Sequence, residues 1–214
     1  GNLVVVDRVS ATIVRSSTGV VQNFVLPQGD EPGSLGAPSG VGIARAGRIA
    51  IADWHGKISI FDIRNPAAPR NELNIKINRP YDACGSSTEI FVAHPGSNIV
   101  SVFDYAGKHL RDFGSPAQLK YKLKVRRASD LGLVADEGAI FCDEVNKAVY
   151  YYHWTLGRVT RYSMAGKLVW NRSLENTDFV ILEAGNGFCC GKLSSSSGQK
   201  LEGVMPMRYH AGIL

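Results

Sequence analysis

The chain has 214 residues, a formal net charge of +5 and 44% apolar residues, and charged side chains make up 20%. That is enough for one large domain or a ring of small sheets, and too apolar for a disordered chain. No apolar run approaches the roughly 18 residues of a membrane span, no leader is visible at the start, and no helical pattern persists beyond two turns.

The predicted elements are strands, and they come in pairs. The chain opens with Leu3-Val-Val-Val-Asp7, then Thr12-Ile-Val-Arg15. The pair recurs as Arg48-Ile-Ala-Ile-Ala-Asp53 with Lys57-Ile-Ser-Ile-Phe-Asp62, and as Glu89-Ile-Phe-Val-Ala-His94 with Asn98-Ile-Val-Ser-Val-Phe-Asp104. It recurs once more as Ala148-Val-Tyr-Tyr-Tyr-His-Trp154 with Arg158-Val-Thr-Arg-Tyr-Ser163. Each pair is an apolar strand, a short polar turn and an alternating strand. A glycine follows three residues after Ser16, Asp104 and Ser163, and a further apolar strand comes next.

The intervals from Asp7 to Asp53, His94 and Trp154 are 46, 41 and 60 residues. Hairpins at that period mark four-stranded propeller blades, which bury both faces only when packed side by side. The fold expected is therefore all-β: a β-propeller of about five four-stranded blades, or part of a six-bladed one, as a single domain over 1–214. Readable blades fall at about 3–27, 40–76, 81–114 and 139–174, with a degenerate remainder at 178–214. The 60-residue interval implies an insertion or an unreadable blade near 115–138. Either Val204–Leu214 completes the first sheet, or a partner chain or further residues cover an open edge.

Two motifs carry a resemblance. Gly29-Asp-Glu-Pro-Gly33, Pro38-Ser-Gly-Val-Gly42 and the strand ending at Asp53 resemble the NHL-type six-bladed propeller repeat. Arg79-Pro-Tyr-Asp-Ala83 through Asp104-Tyr-Ala-Gly-Lys108 resembles the related YVTN and lyase-type repeats. The resemblance covers about residues 1–174. It implies the fold and says little of activity, because propellers host unrelated functions.

Candidate site residues follow from strand direction. The turns between the second and third strands of each blade gather on one end, and they hold Asp7 and Arg8, Trp54 and His55, His94, and His153 and Trp154. One reading is a metal at the channel mouth, Ca or Zn, held by the imidazoles. Some propellers of the resembled type are metal-dependent lyases, and related ones are calcium-dependent lactonases, but here only Asp82 and Asp143 are acidic on the expected inner strands. The other reading is turn chemistry, with Asp accepting backbone N–H groups. Tyr150, Tyr151 and Tyr152 read as sheet packing.

In the stretch 120–127, Lys120, Lys122, Lys124 and Arg126 share one face if extended. They form either an anion-binding stripe or a charged edge strand. Cys84, Cys142, Cys189 and Cys190 show no Cys-x-x-Cys knuckle, so each is expected as a buried free thiol without a disulfide framework. The serine run at 194–197 reads as a loop. Asn171-Arg-Ser173 matches the glycosylation sequon, a triplet common by chance.

The leading functional expectation is a soluble, non-enzymatic propeller, leaning to an extracytoplasmic setting and needing no cofactor. Its contact candidates for a protein, peptide or glycan are Trp54, His55, His94, His153 and Trp154. The alternatives are the metal-dependent hydrolase or lyase and a basic, NHL-like RNA-binding surface.

Overall fold

A computed structural model describes nineteen strands, and side chains chiefly within 34–44, 47–62, 77–116, 136–154 and 157–173. Among the described residues there is no helix.

The strands form five antiparallel sheets. In the first, β1 (Asn2–Val6), β2 (Ala11–Ser17) and β3 (Val20–Val25) follow one another, and β19 (His210–Ile213) adds outside β1, with Leu3 opposite Ile213. The second runs β4 (Pro38–Ile43), β5 (Arg48–Asp53), β6 (Lys57–Asp62) and β7 (Asn71–Leu73). The third runs β8 (Asp82–Gly85), β9 (Glu89–Ala93), β10 (Val100–Asp104) and β11 (His109–Phe113). The fourth runs β12 (Gly138–Asp143), β13 (Ala148–His153), β14 (Arg158–Ser163) and β15 (Leu168–Ser173). The fifth has three strands, β16 (Asp178–Ile181), β17 (Gly191–Ser194) and β18 (Lys200–Leu201).

Sequence composition explains why sheets two to four stack. Strand β9 is apolar at every position from Ile90 to Ala93, and all four are buried. Alternate side chains leave a strand on opposite faces. Ile90 and Val92 accordingly join a core with Ala50, Ala52, Ile58 and Ile60 of the second sheet. Phe91 and Ala93 join another with Ile140, Val149 and Tyr151 of the fourth. A strand with water on one face would alternate instead, as β11 does, where only Phe113 is buried.

The repeated glycine has a geometric cause. Gly107 and Gly166 lie at φ of 85° and 88°, and their N–H groups donate to Asp104 O and Ser163 O. Beside each turn the ladder slips, between Val102 and Phe103 and between Arg161 and Tyr162. A tight hairpin with a left-handed glycine and a bulge produces this arrangement.

Strands β4, β8 and β12 stand side by side, in the same direction and in step. Ser39 Oγ donates to Pro80 O at 2.6 Å, and Ile140 N donates to Asp82 Oδ2 at 3.0 Å. A Cβ on Gly40 would collide with Asp82, and one on Gly42 with the Ala83 carbonyl, so glycine is what lets β4 approach β8. Because the three inner strands are aligned, the hairpin tips of their sheets share one end.

Cys84 on β8 and Cys142 on β12 are joined by a disulfide, with Cα atoms 5.6 Å apart. This corrects the expectation of free thiols. The two residues are 58 positions apart, and only the side-by-side inner strands bring them together. Cys189 and Cys190 lie outside the described residues, as do Asp7, Arg8 and the stretch 117–135 with Lys120, Lys122, Lys124 and Arg126.

Candidate functional site

Each hairpin tip is fastened to the segment leading into its own inner strand. Trp54 N donates to Ala37 O at 2.8 Å, and Trp154 N donates to Glu137 O at 3.1 Å. In the third sheet the bond runs the other way, from Tyr81 N to Ala93 O at 2.7 Å. Asp53 is fully buried: Oδ2 accepts from Gly36 N and Ala37 N, and Oδ1 from His55 N at 2.9 Å. A short acceptor at a strand end satisfies amides that the tight turn leaves open.

That fastening presents Trp54 half-buried at the tip. Its ring lies 5.8 Å from Tyr81 at 50°, and the Arg79 guanidinium lies 5.8 Å from its centroid on the side of the incoming segment. Arg79 is exposed and sits at φ 52°, a left-handed backbone that a branching side chain rarely adopts. His55 projects beside it, its side chain 55% exposed, with Nδ1 3.4 Å from Asp53 Oδ1. Together they make an aromatic and cationic surface in which the half-buried Trp54 ring packs against Tyr81 and lies under the Arg79 guanidinium.

His94 is turned inward. Nδ1 faces Pro95 O at 3.0 Å and Nε2 faces Ser101 Oγ at 2.7 Å, while Ser101 Oγ lies 2.5 Å from Asp112 Oδ1. His109 Nε2 reaches the same oxygen at 2.8 Å. A carbonyl can only accept, so Nδ1 carries a proton. The serine hydroxyl has a single proton, so it donates either to Asp112, with Nε2 protonated, or to the Nε2 of a neutral ring. Burial opposes that imidazolium and holds His94 below 6.5, while the Pro95 carbonyl and the Asp112 charge pull it up. Burial raises the Asp112 carboxyl, but the hydrogen bonds from Ser101 and His109 outweigh it and hold the group below 3.8. The charge of His94 and the hydrogen bonding of Asp112 are therefore coupled through one hydroxyl.

His153 belongs to the interior. Its side chain is fully buried, its ring centroid is 4.6 Å from that of Tyr151, and Arg158 Nη2 donates to its Nε2 at 3.1 Å. As the last residue of β13 it follows the inward face of Tyr151, two residues earlier. It is thereby removed from the contact surface on which the sequence reading set it. Trp154, one residue on, is half-buried at the tip.

The three histidines are thus engaged separately. Among the described residues no group of three or more His, Cys, Asp or Glu is placed to hold a metal ion. On the inner strands, burial pushes the Asp82 carboxyl up to about 8, against two amides, Ile140 N and Ala83 N, that pull it down.

Sequence reasoning missed Arg79, Tyr81 and the partners Ser101, Asp112 and His109. Arg79 and Tyr81 flank Pro80 just ahead of an inner strand. That position was itself readable, because the connection into an inner strand ends where the hairpin tips lie.

No protein-family model and no curated protein matches the chain. Among solved structures, a chain in the crystal structure of a nidogen/laminin complex is similar, with a TM-score of 0.53 and 11% identity over 80% of this chain. That chain is a β-propeller. The fold here is of the β-propeller type. At 11% identity the likeness shows the fold alone, and this propeller chain spans 60% of the length of the solved one. Among the described residues no helix is long and apolar enough to cross a membrane.

Proposed function

We propose that this propeller is a non-enzymatic binding module that holds a protein, peptide or glycan at its hairpin-tip end, with Trp54, His55, Arg79 and Trp154 as contacts. The observation that carries the proposal is Trp54, braced by Tyr81 and flanked by Arg79 in a left-handed conformation. A half-buried Trp with an exposed Arg set over its ring on a turn offers the residue types that dominate binding energy at interfaces. His94 contributes indirectly, by shaping the β9–β10 tip through Pro95 and Ser101. The nidogen/laminin chain of similar fold comes from a protein–protein complex, which agrees with this use of the fold. We assign the repeats to the NHL or YVTN type on their Gly-x-x-Pro-Gly and Asp-Tyr-Ala-Gly-Lys segments.

The test is a glycan array and a displayed-peptide library probed with the full chain, with every hit rebound to Trp54→Ala, Trp154→Ala and the double variant. A loss of tenfold or more at either tryptophan is expected, equivalent to about 1.4 kcal/mol. Hits that bind the double variant as tightly as the parent would overturn this contact surface.

A further inference from the structure

We propose that Asn171 carries an N-linked glycan, and that this glycan covers the open outer edge of the fourth sheet. Asn171 is the single asparagine of the chain followed two positions later by serine or threonine, with an arginine between. The triplet alone proves little, but the fold subjects it to a test it could have failed. It falls on β15, the last strand of its sheet, and Asn171, Arg172 and Ser173 are all exposed. In an extended strand Asn171 and Ser173 project to the same side, and no described strand pairs beyond them.

A second and independent observation points to the compartment where that modification is made. The Cys84–Cys142 disulfide joins two inner strands, with one partner fully buried. A structural cross-link of this kind persists in secretory and extracellular settings and is rare in the cytosol. In a eukaryotic secretory pathway, the compartment that forms such a bond also holds the machinery that glycosylates asparagine.

The transfer needs a lipid-diphosphate-linked oligosaccharide as donor. Asn171 Nδ2 forms a bond to C1 of the reducing-end sugar while the bond from C1 to the diphosphate oxygen breaks. The lipid diphosphate leaves, the amide nitrogen gives up one proton, and nothing is oxidised or reduced.

The edge also needs a cover. Leu168 and Val169 on β15 are 52% and 50% exposed, and the Trp170 ring beside them packs tilted against Tyr150, with centroids 6.2 Å apart. A six-residue strand with exposed apolar side chains, beyond which no described strand pairs, is a template for pairing with another chain. A second strand must approach to about 4.8 Å to pair. A bulky, hydrated glycan rooted mid-strand bars that approach.

The experiment is secretion of the full chain from glycosylating eukaryotic cells, followed by intact mass, peptide mapping and light scattering. Expected is a mass gain mapping to Asn171, absent in Asn171→Gln and Ser173→Ala and kept in Ser173→Thr. Trimming the folded, disulfide-bonded protein to a single sugar with an endoglycosidase, which needs no variant to fold, is expected to raise the fraction of dimer and larger species. A parent mass equal to the bare polypeptide overturns the proposal, and so does a trimmed protein whose size distribution matches that of the untrimmed one.

Discussion

Replacing Asp82 by Asn should change the sign of its effect on stability as the pH rises. The carboxyl is fully buried between β8 and β12, and burial lifts it from 3.8 to about 8. An acid whose folded value lies above its unfolded value keeps its proton only in the fold across that interval. Unfolding there releases a proton, so the stability it contributes is complete below about pH 4 and lost as pH passes about 8. A rise of about four pH units at about 1.4 kcal/mol each gives roughly 6 kcal/mol as the ceiling. The Asn side chain has the same shape and does not titrate, but its amide nitrogen must face one of the two donors, Ala83 N or Ile140 N. That lost acceptor costs about 1–3 kcal/mol. At pH 4 the variant should therefore be the less stable protein, and at pH 8 the more stable by a few kcal/mol, with the curves crossing between. Urea denaturation from pH 4 to 9 without reductant measures this, given an unchanged slope with denaturant. Taking the difference between the two proteins cancels the opposite trend from His94, which is held neutral by burial and favours the fold as pH rises through 6.5. Parallel curves would refute the argument.

Reducing Cys84–Cys142 frees a 58-residue loop and should cost about 4 kcal/mol in the same denaturation assay; a midpoint unmoved by reductant would mean the bond adds nothing. Gly42→Ala drives a methyl into the Ala83 carbonyl and should cost about 1–3 kcal/mol or more. Gly96→Ala, on the exposed β9–β10 loop, should cost much less, and equal losses would argue against close contact of β4 with β8. The His94 ring should titrate below 6.5 by NMR, and lower still in Asp112→Asn, which removes a charge that favours the imidazolium; an upward move in that variant would break the proposed coupling through Ser101.

The hairpins were legible because each pair of strands is local: apolar runs, turn residues and the left-handed glycine all lie within twenty residues. The buried continuity of β9 was legible for the same reason, since Ile90 to Ala93 has no polar alternation to hide. The disulfide was not, because Cys84 and Cys142 meet only through the alignment of two inner strands, and no local pattern encodes that alignment. His153 was set among turn residues by counting from Trp154, whereas the two-residue alternation from Tyr151 would have carried it inward. Trp54 and His55 were readable as tip residues. The place of Arg79 at the tips was readable too, but its contact with Trp54 was not, nor was the role of Asp112, because each depends on a partner from another strand or loop.

The bonds between the third and fourth sheets have a consequence for motion. Arg111 grips Glu89 with both nitrogens in the third sheet and also donates to the Met164 carbonyl in the fourth, while Ser87 binds Glu144 and Asp82 accepts from Ile140. Neither sheet can peel away without breaking charged, buried and covalent links together. Hydrogen exchange should find one cooperative unit here, with the amides of Val92 and Val149 opening at a common free energy.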